Sequence, residues 1–205
     1  TRKYQQDYSQ LALQHLAARL HNNRQWIADS TISISRILID SLQFSDYKDR
    51  RLPFRAGIIK PLPVDLLRKL PFRLVCDTLR VAQGSVDYTE VSAKHGKTGT
   101  VPIRRLTLAI YNLKNVHAED KDSLRIHANG YLLDTVWVRL RVKESFTDPE
   151  GGFLMTLRLK PGNLQMLNPV LEPLANVRLL SGELDTLSMR AVGREYLALG
   201  EMKMF

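Results

Sequence analysis

The sequence predicts a mainly β protein of the α+β class: an elongated, curved antiparallel β-meander with an N-terminal helix and two further short helices. First, apolar and polar residues alternate with a period of two over several runs between residues 85 and 159. Second, Gly-, Pro- and Asp-rich turns separate these runs, as in hairpins. Third, a strand over residues 106–115 would span roughly 33 Å at about 3.3 Å per residue, which is long for a globular sheet.

The N-terminal segment is predicted to be helical. Residues 4–20 are rich in Ala and Leu, and apolar residues recur at every fourth position from Tyr8 to Leu20. Both features are typical of one face of an α-helix. We therefore divide the chain into a helical lead, residues 1–24, and a single elongated antiparallel β domain, residues 25–205.

The next segment is predicted to contain a bent strand and a short helix. Apolar and polar residues alternate over residues 32–44, but at two points the alternation shifts by one residue. One extra residue in a strand, a β-bulge, produces such a shift. Pro63 suits a helix N-terminus and Pro71 ends a helix, so a helix is predicted near residues 64–70. A strand follows at residues 73–82.

A long hairpin is predicted over residues 85–115, after a turn at Gln83-Gly84. Its arms flank a Lys- and Gly-rich turn. In the second arm Leu106, Leu108 and Ile110 fall on one face.

A second meander is predicted over residues 123–133, 134–146 and 153–159, with a turn at 148–152. Its apolar positions alternate with Arg, Lys and other polar residues, and they are Val136, Val138, Leu140, Val142, Phe153, Met155, Leu157 and Leu159. A helix is predicted near residues 164–174, with Asn168 as N-cap and Pro169 following it. Strands at 176–190 and 195–205 complete the prediction.

The chain is basic, with a net charge of +9 and a pI near 9.8. Residues 1–80 hold 14 Lys and Arg against 7 Asp and Glu, so this part could meet a phosphate-rich partner. The candidates for an anionic surface are Arg50, Arg51, Arg55, Lys60, Arg68, Lys69 and Arg73. The lone cysteine, Cys76, lies among apolar residues and is expected to be a buried structural thiol.

No catalytic or metal motif is complete. The glycines of residues 95–99 resemble a phosphate loop, but Val91 stands where its first glycine is required, and a strand follows in place of a helix. A Lys-Thr-Gly run at 97–99 lacks the Ser-Asp-Asn partner of serine β-lactamases, and Gly-x-Ser-x-Gly is absent. We expect a non-enzymatic protein without a cofactor.

Acidic and histidine residues near residue 120 do not match a zinc pattern, and a solvated loop is expected there. These residues are His117, Glu119, Asp120, Asp122 and His127. Trp26 and Trp137 lie far apart and form no stacking platform for bases, so nucleic acid is not the expected partner. The apolar runs are too short for a transmembrane helix.

Several segments together resemble a known family. They are residues 47–54, 60–63, 70–72, 88–90, 110–113, 167–174, Val177 and residues 181–185. Over residues 32–205 the chain resembles large AsmA-like envelope proteins of Bacteroidetes-type bacteria, and the Asn-Pro-x-Leu-Glu-Pro-Leu segment at 168–174 is the most specific part. The first residue is Thr1 instead of Met, so we expect a fragment of a longer protein.

The resemblance implies a periplasmic body anchored in the inner membrane by a segment outside this sequence. It also implies a taco-like sheet related to bridge-like lipid-transfer proteins, a role in outer-membrane biogenesis, and lipids or envelope components as partners.

Two functional hypotheses remain open from the sequence. In the first, apolar strand faces form a groove for acyl chains, and ordinary packing under a second layer is the competing explanation of the same pattern. In the second, the basic residues of the first part bind nucleic acid or an anionic membrane surface.

Overall fold

The computed structural model describes residues 4–21, 30–55, 57, 61–116, 118–194 and 197–205. Its elements are β1 (Asp7–Leu20), β2 (Thr31–Asp49), α1 (Pro63–Arg68), β3 (Arg73–Val91), β4 (Thr98–Lys114), β5 (Ser123–Leu132), β6 (Val136–Ser145), β7 (Phe153–Leu159), β8 (Gly162–Asn163), a 3₁₀ turn (Leu164–Leu167), α2 (Asn168–Ala175), β9 (Glu183–Leu184), β10 (Leu187–Gly193) and β11 (Ala198–Met204). The predicted mainly β class is confirmed.

Nine of the described strands form one sheet in the order β1-β2-β3-β4-β5-β6-β7-β10-β11, and β8 pairs with β9 separately. The sheet is mixed, because β2 and β3 are parallel whereas every other neighbouring pair is antiparallel. The prediction of a purely antiparallel meander is wrong at this pair. Residues 50–72 return the chain to the starting end of β2, and a parallel pair requires such a long crossover.

The predicted N-terminal helix is wrong, because this segment is the edge strand β1. Strand β1 pairs its apolar residues Leu11, Leu13 and Leu16 with apolar residues of β2. His15, which lies between Leu13 and Leu16, has a φ of 51°. This irregular residue shifts the alternation by one position, so the apolar spacing imitates a helical repeat. The helical lead at residues 1–24 therefore does not hold, since β1 belongs to the main sheet; Asn22 and Asn23 lie outside the described residues.

The bulge predicted in the second strand is present. The β1–β2 register shifts between Arg19 and Leu20, opposite Ser35. The turn predicted at Gln83-Gly84 is wrong, because β3 continues through it. A Cβ at Gly84 would lie 3.1 Å from the Leu106 side chain, so this glycine serves close packing at an irregular register and not chain reversal.

Both short helices are confirmed, and each packs near one end of the strands. Val64 of α1 forms a buried cluster with Leu124 and Phe146. At the other end of β4, Leu174 of α2 packs so closely on Gly99 that a Cβ there would lie 2.7 Å from Leu174 Cγ. These contacts leave the middle of the sheet between the two helices.

The remaining predictions differ in detail. Leu167, not Asn168, is the N-cap of α2, and the Asn168 amide instead exchanges hydrogen bonds of 2.9 and 2.8 Å with the Leu179 backbone. The strand predicted at 176–190 is reduced to β9 and β10, with residues 177–182 irregular. Cys76 is buried, as predicted. No described helix is long and apolar enough to span a bilayer.

Candidate functional site: the apolar face of the sheet

The strand register aligns apolar side chains into a row that crosses all nine strands. Directly paired residues of neighbouring strands project from the same face, so the pairing can be followed from edge to edge. The central row is Leu16, Ile39, Val81, Leu108, Ala128, Leu140, Leu157, Met189 and Met202.

A second row on the same face runs beside the first and contains no polar side chain. It is Ala18, Ile37, Leu79, Ile110, Ile126, Val142, Met155, Ala191 and Gly200. Nine strands at about 4.8 Å spacing give each row a length of roughly 38 Å. The two rows define what we call the apolar face.

The apolar face is partly open to solvent. Leu16 and Met202, at the two edges, are 59% and 61% exposed. Ile39 and Val81 are buried, whereas Leu108 and the residues that follow it on β5, β6, β7 and β10 keep intermediate exposure. The described elements outside the large sheet are α1, α2, the 3₁₀ turn and the short β8–β9 pair. The described chain therefore supplies no full second layer.

The structure brings the predicted groove residues together. Pairing places Leu106, Leu108, Ile110, Val136, Val138, Leu140, Val142, Phe153, Met155, Leu157 and Leu159 on one face. Val136 differs from the rest, because it is only 1% exposed and lies against Gly162. It therefore contributes to internal packing and not to an open surface.

Comparisons with protein families, with curated proteins and with solved structures found no match for this chain. The function proposed below therefore rests on the geometry of the sheet and on the family resemblance of the sequence.

The opposite face is strongly basic. Five cationic side chains of β6, β7, β10 and β11 line a hollow of about 360 Å³, and we call them the cationic cluster: Arg139, Arg141, Arg158, Arg190 and Lys203. Glu201 also lines this hollow and pairs with Lys203 at 3.0 Å. The sequence showed these arginines only as the polar half of an alternation, and strand order was needed to see that they converge.

Two basic groups on this face have lowered pKa values, chiefly because they are partly buried. Burial, with nearby Arg141 and Arg125, lowers the pKa of His127. Burial and the charge of Arg139 also lower the pKa of Arg141. In both residues burial is the larger cause of the lowered pKa, and the neighbouring arginines add a smaller contribution in the same direction.

The basic residues predicted as an anionic surface do not form one patch. Arg50 and Arg51 follow β2, whereas Arg73 opens β3 opposite Thr31, so roughly 60 Å of strand separates them at about 3.3 Å per residue. Three of the set pair with carboxylates: Arg50 with Glu90 at 3.1 Å, Arg51 with Asp49 at 2.8 Å and Arg68 with Asp65 at 3.2 Å.

The other members of that set are also dispersed. Arg55 lies over the Tyr4 ring at 5.8 Å, and Lys69 is exposed beside α1. Lys60 lies outside the described residues. The cationic side chains that the structure gathers around one hollow are therefore those of the cationic cluster and not this predicted set.

The acidic and histidine residues near residue 120 have structural partners. Asp122 accepts hydrogen bonds from Lys114 and from the Glu119 backbone, and His127 packs edge-on against Tyr111 at 5.1 Å. Within the described residues no group of three or more His, Cys, Asp or Glu could hold a metal ion. His117 and Trp26 lie outside those residues.

The glycine-containing turn at residues 92–97 closes the β3–β4 hairpin through backbone hydrogen bonds. Ser92 N donates to Lys97 O at 2.9 Å, and Gly96 N donates to Ser92 O at 3.0 Å. This geometry is the hairpin that the sequence predicted in preference to a phosphate loop.

Glu144 is a polar residue that sequence reasoning missed. Its side chain is 1% exposed, and its Oε1 accepts a hydrogen bond from the Val64 N–H at the start of α1 at 3.0 Å. Its Oε2 has no partner among the described residues. Burial raises the pKa of Glu144 to about 7, so this carboxyl group fixes α1 on the sheet at an electrostatic cost.

Proposed function

We propose that this chain is a non-enzymatic, lipid-handling segment of a bacterial cell envelope and that its apolar face binds or passes acyl chains. The observation that carries the proposal is the pair of apolar rows that cross nine strands without a full covering layer. Large exposed apolar patches in proteins mark interaction sites.

The size of the face suits acyl chains. Each row is roughly 38 Å long by strand spacing, whereas one leaflet of a bilayer core is about 15 Å thick. A row is therefore longer than two leaflet-length acyl chains placed end to end. Burial of apolar surface contributes about 25 cal/mol per Å² and needs no directional contacts, so binding would depend on chain length more than on chain identity.

The resemblance to AsmA-like envelope proteins supports the same proposal. It would place the chain in the periplasm, attached to the inner membrane through a segment outside this sequence. A sheet with one apolar and one charged face suits that setting, because it could shield acyl chains from water while its other face stays solvated.

The experiment compares two adjacent residues of β7 that project from opposite faces. Purified protein is titrated with a phospholipid that carries a fluorescent acyl chain, and Leu157→Gln is compared with Thr156→Gln. We expect Leu157→Gln to weaken binding by about tenfold, since it places an amide in the central row. Thr156→Gln should bind within about twofold of the unmodified protein.

Circular dichroism verifies that both variants keep their strand content. Failure of the unmodified protein to bind the labelled lipid would contradict the proposal. Equal weakening in both folded variants would also contradict it, because the acyl chain would then not distinguish the two faces.

A further inference from the structure

The cationic cluster is an array of unneutralised charge built by the strand register. Arg139 and Arg158 are directly paired across β6 and β7. Directly opposed residues have Cβ atoms about 4.5–5.5 Å apart, and like charges at this spacing are destabilising. Ser188 and Lys203 continue the row, so a third cation stands two strands away from Arg158.

Described carboxylates do not neutralise the arginines of this cluster. No described acid lies within 4.0 Å of the guanidinium of Arg139, Arg158 or Arg190, and the described acid in the hollow, Glu201, pairs with Lys203. Five cations against one carboxylate leave a formal excess of four positive charges. A hollow with such an excess of positive charge has a favourable potential for an anion.

Two of the arginines are held in place by neighbouring groups. Arg139 lies 4.8 Å from the centre of the Trp137 ring, and Lys160 lies 5.1 Å from the same ring. Arg141 Nη1 donates to the backbone oxygen of Leu140 at 3.0 Å. Ordered guanidinium groups lose less entropy on binding than free surface side chains do.

We propose that the cationic cluster binds the phosphoryl groups of a multiply phosphorylated ligand. Guanidinium groups match phosphate oxygens with paired N–H donors, and a charge excess of four suits several phosphoryl oxygens better than a single carboxylate. This site lies on the face opposite the acyl rows, so it takes a different ligand or a different part of an assembly, and it does not depend on the acyl proposal.

The test uses two probes and two matched variants. Inorganic tripolyphosphate binding is measured by calorimetry, and cosedimentation is measured with phosphatidylglycerol and phosphatidylcholine vesicles. The first variant is Arg139→Gln/Arg158→Gln. The control is Arg19→Gln/Arg36→Gln, which removes another directly paired, exposed arginine couple on the same face, between β1 and β2.

We expect tripolyphosphate to bind the unmodified protein and to bind less tightly as salt increases, as phosphate–cation contacts do. The Arg139/Arg158 variant should bind at least about tenfold more weakly, because it loses two charge-assisted donors. The Arg19/Arg36 control should stay within about twofold. Tripolyphosphate should raise the melting temperature of the control but not that of the Arg139/Arg158 variant. Without ligand, the Arg139/Arg158 variant should melt in a cooperative transition near the temperature of the unmodified protein, which would show that the loss is not unfolding.

Binding to phosphatidylglycerol vesicles without binding of tripolyphosphate would overturn the proposal, because each phosphatidylglycerol headgroup carries a single phosphodiester. Binding of neither probe would overturn the proposal. Equal loss in both double variants would overturn it too, because net charge alone would then explain the binding. Leu140→Gln changes a central-row residue that does not line the hollow, so it should keep tripolyphosphate binding and make failure of one proposal distinguishable from failure of the other.

Discussion

At the scale of single residues, Glu144 combines full burial with a titratable group. It ends the alternating apolar positions of β6, so the period-two pattern places it on the apolar face. Its hydrogen bond to Val64 secures the start of α1, and Arg68 Nη2 adds a hydrogen bond of 2.6 Å to the Phe146 carbonyl. Nothing in the sequence indicates that α1 packs there, so the role of Glu144 could not be predicted.

The raised pKa of Glu144 predicts a specific pH dependence of stability. The folded state holds this proton up to pH about 7, whereas the unfolded chain releases it near the ordinary glutamate pKa of 4.5. The folded state therefore binds more protons in this window, and the free energy of unfolding should fall as pH rises from about 4.5 to 7. Urea denaturation across this range measures the slope.

The control is Glu144→Gln, whose side-chain oxygen can still accept the Val64 N–H. The pKa of His127 is lowered in the fold, so this residue makes the free energy of unfolding rise with pH in an overlapping range. The difference between the two proteins isolates the contribution of Glu144. A slope that is the same in both would show that Glu144 titrates normally.

At the scale of elements, the hairpins were predictable and β1 was not. Strands β5, β6 and β7 alternate regularly, and turn residues separate them. In β1 the irregular residue His15 converts a period of two into an apparent helical spacing, so tertiary pairing with β2 overrides the local pattern. The parallel β2–β3 pair could not be predicted either, because the local pattern of a strand does not specify whether its neighbour runs parallel or antiparallel.

The contact between α2 and β4 gives a prediction at this scale. Gly99→Ala should destabilise the fold by about 1–3 kcal/mol, because its new Cβ would lie 2.7 Å from Leu174 Cγ and would overpack this contact. Thermal unfolding measures the loss. Gly200→Ala is the matched control, since its nearest neighbour would be 3.4 Å away. Equal effects of the two substitutions would refute close packing of α2 on Gly99.

At the scale of the whole molecule, the protein is a sheet with two chemically different faces. Alternation within each strand identified the eleven predicted groove residues as apolar strand positions. The register that joins them into rows was not predictable, because irregular positions such as Ser35, Gly84 and Arg105 set it. The same register gathers arginines from distant parts of the sequence into the cationic cluster.

The central claim is that the apolar face holds acyl chains, and photocrosslinking tests it most directly. A phospholipid with a diazirine at the end of its acyl chain is bound to the protein and activated, and the modified residues are mapped by mass spectrometry. We predict adducts on central-row residues such as Leu108, Leu140 and Leu157. Adducts confined to the arginine-rich face, or no adducts at saturating lipid, would contradict the claim.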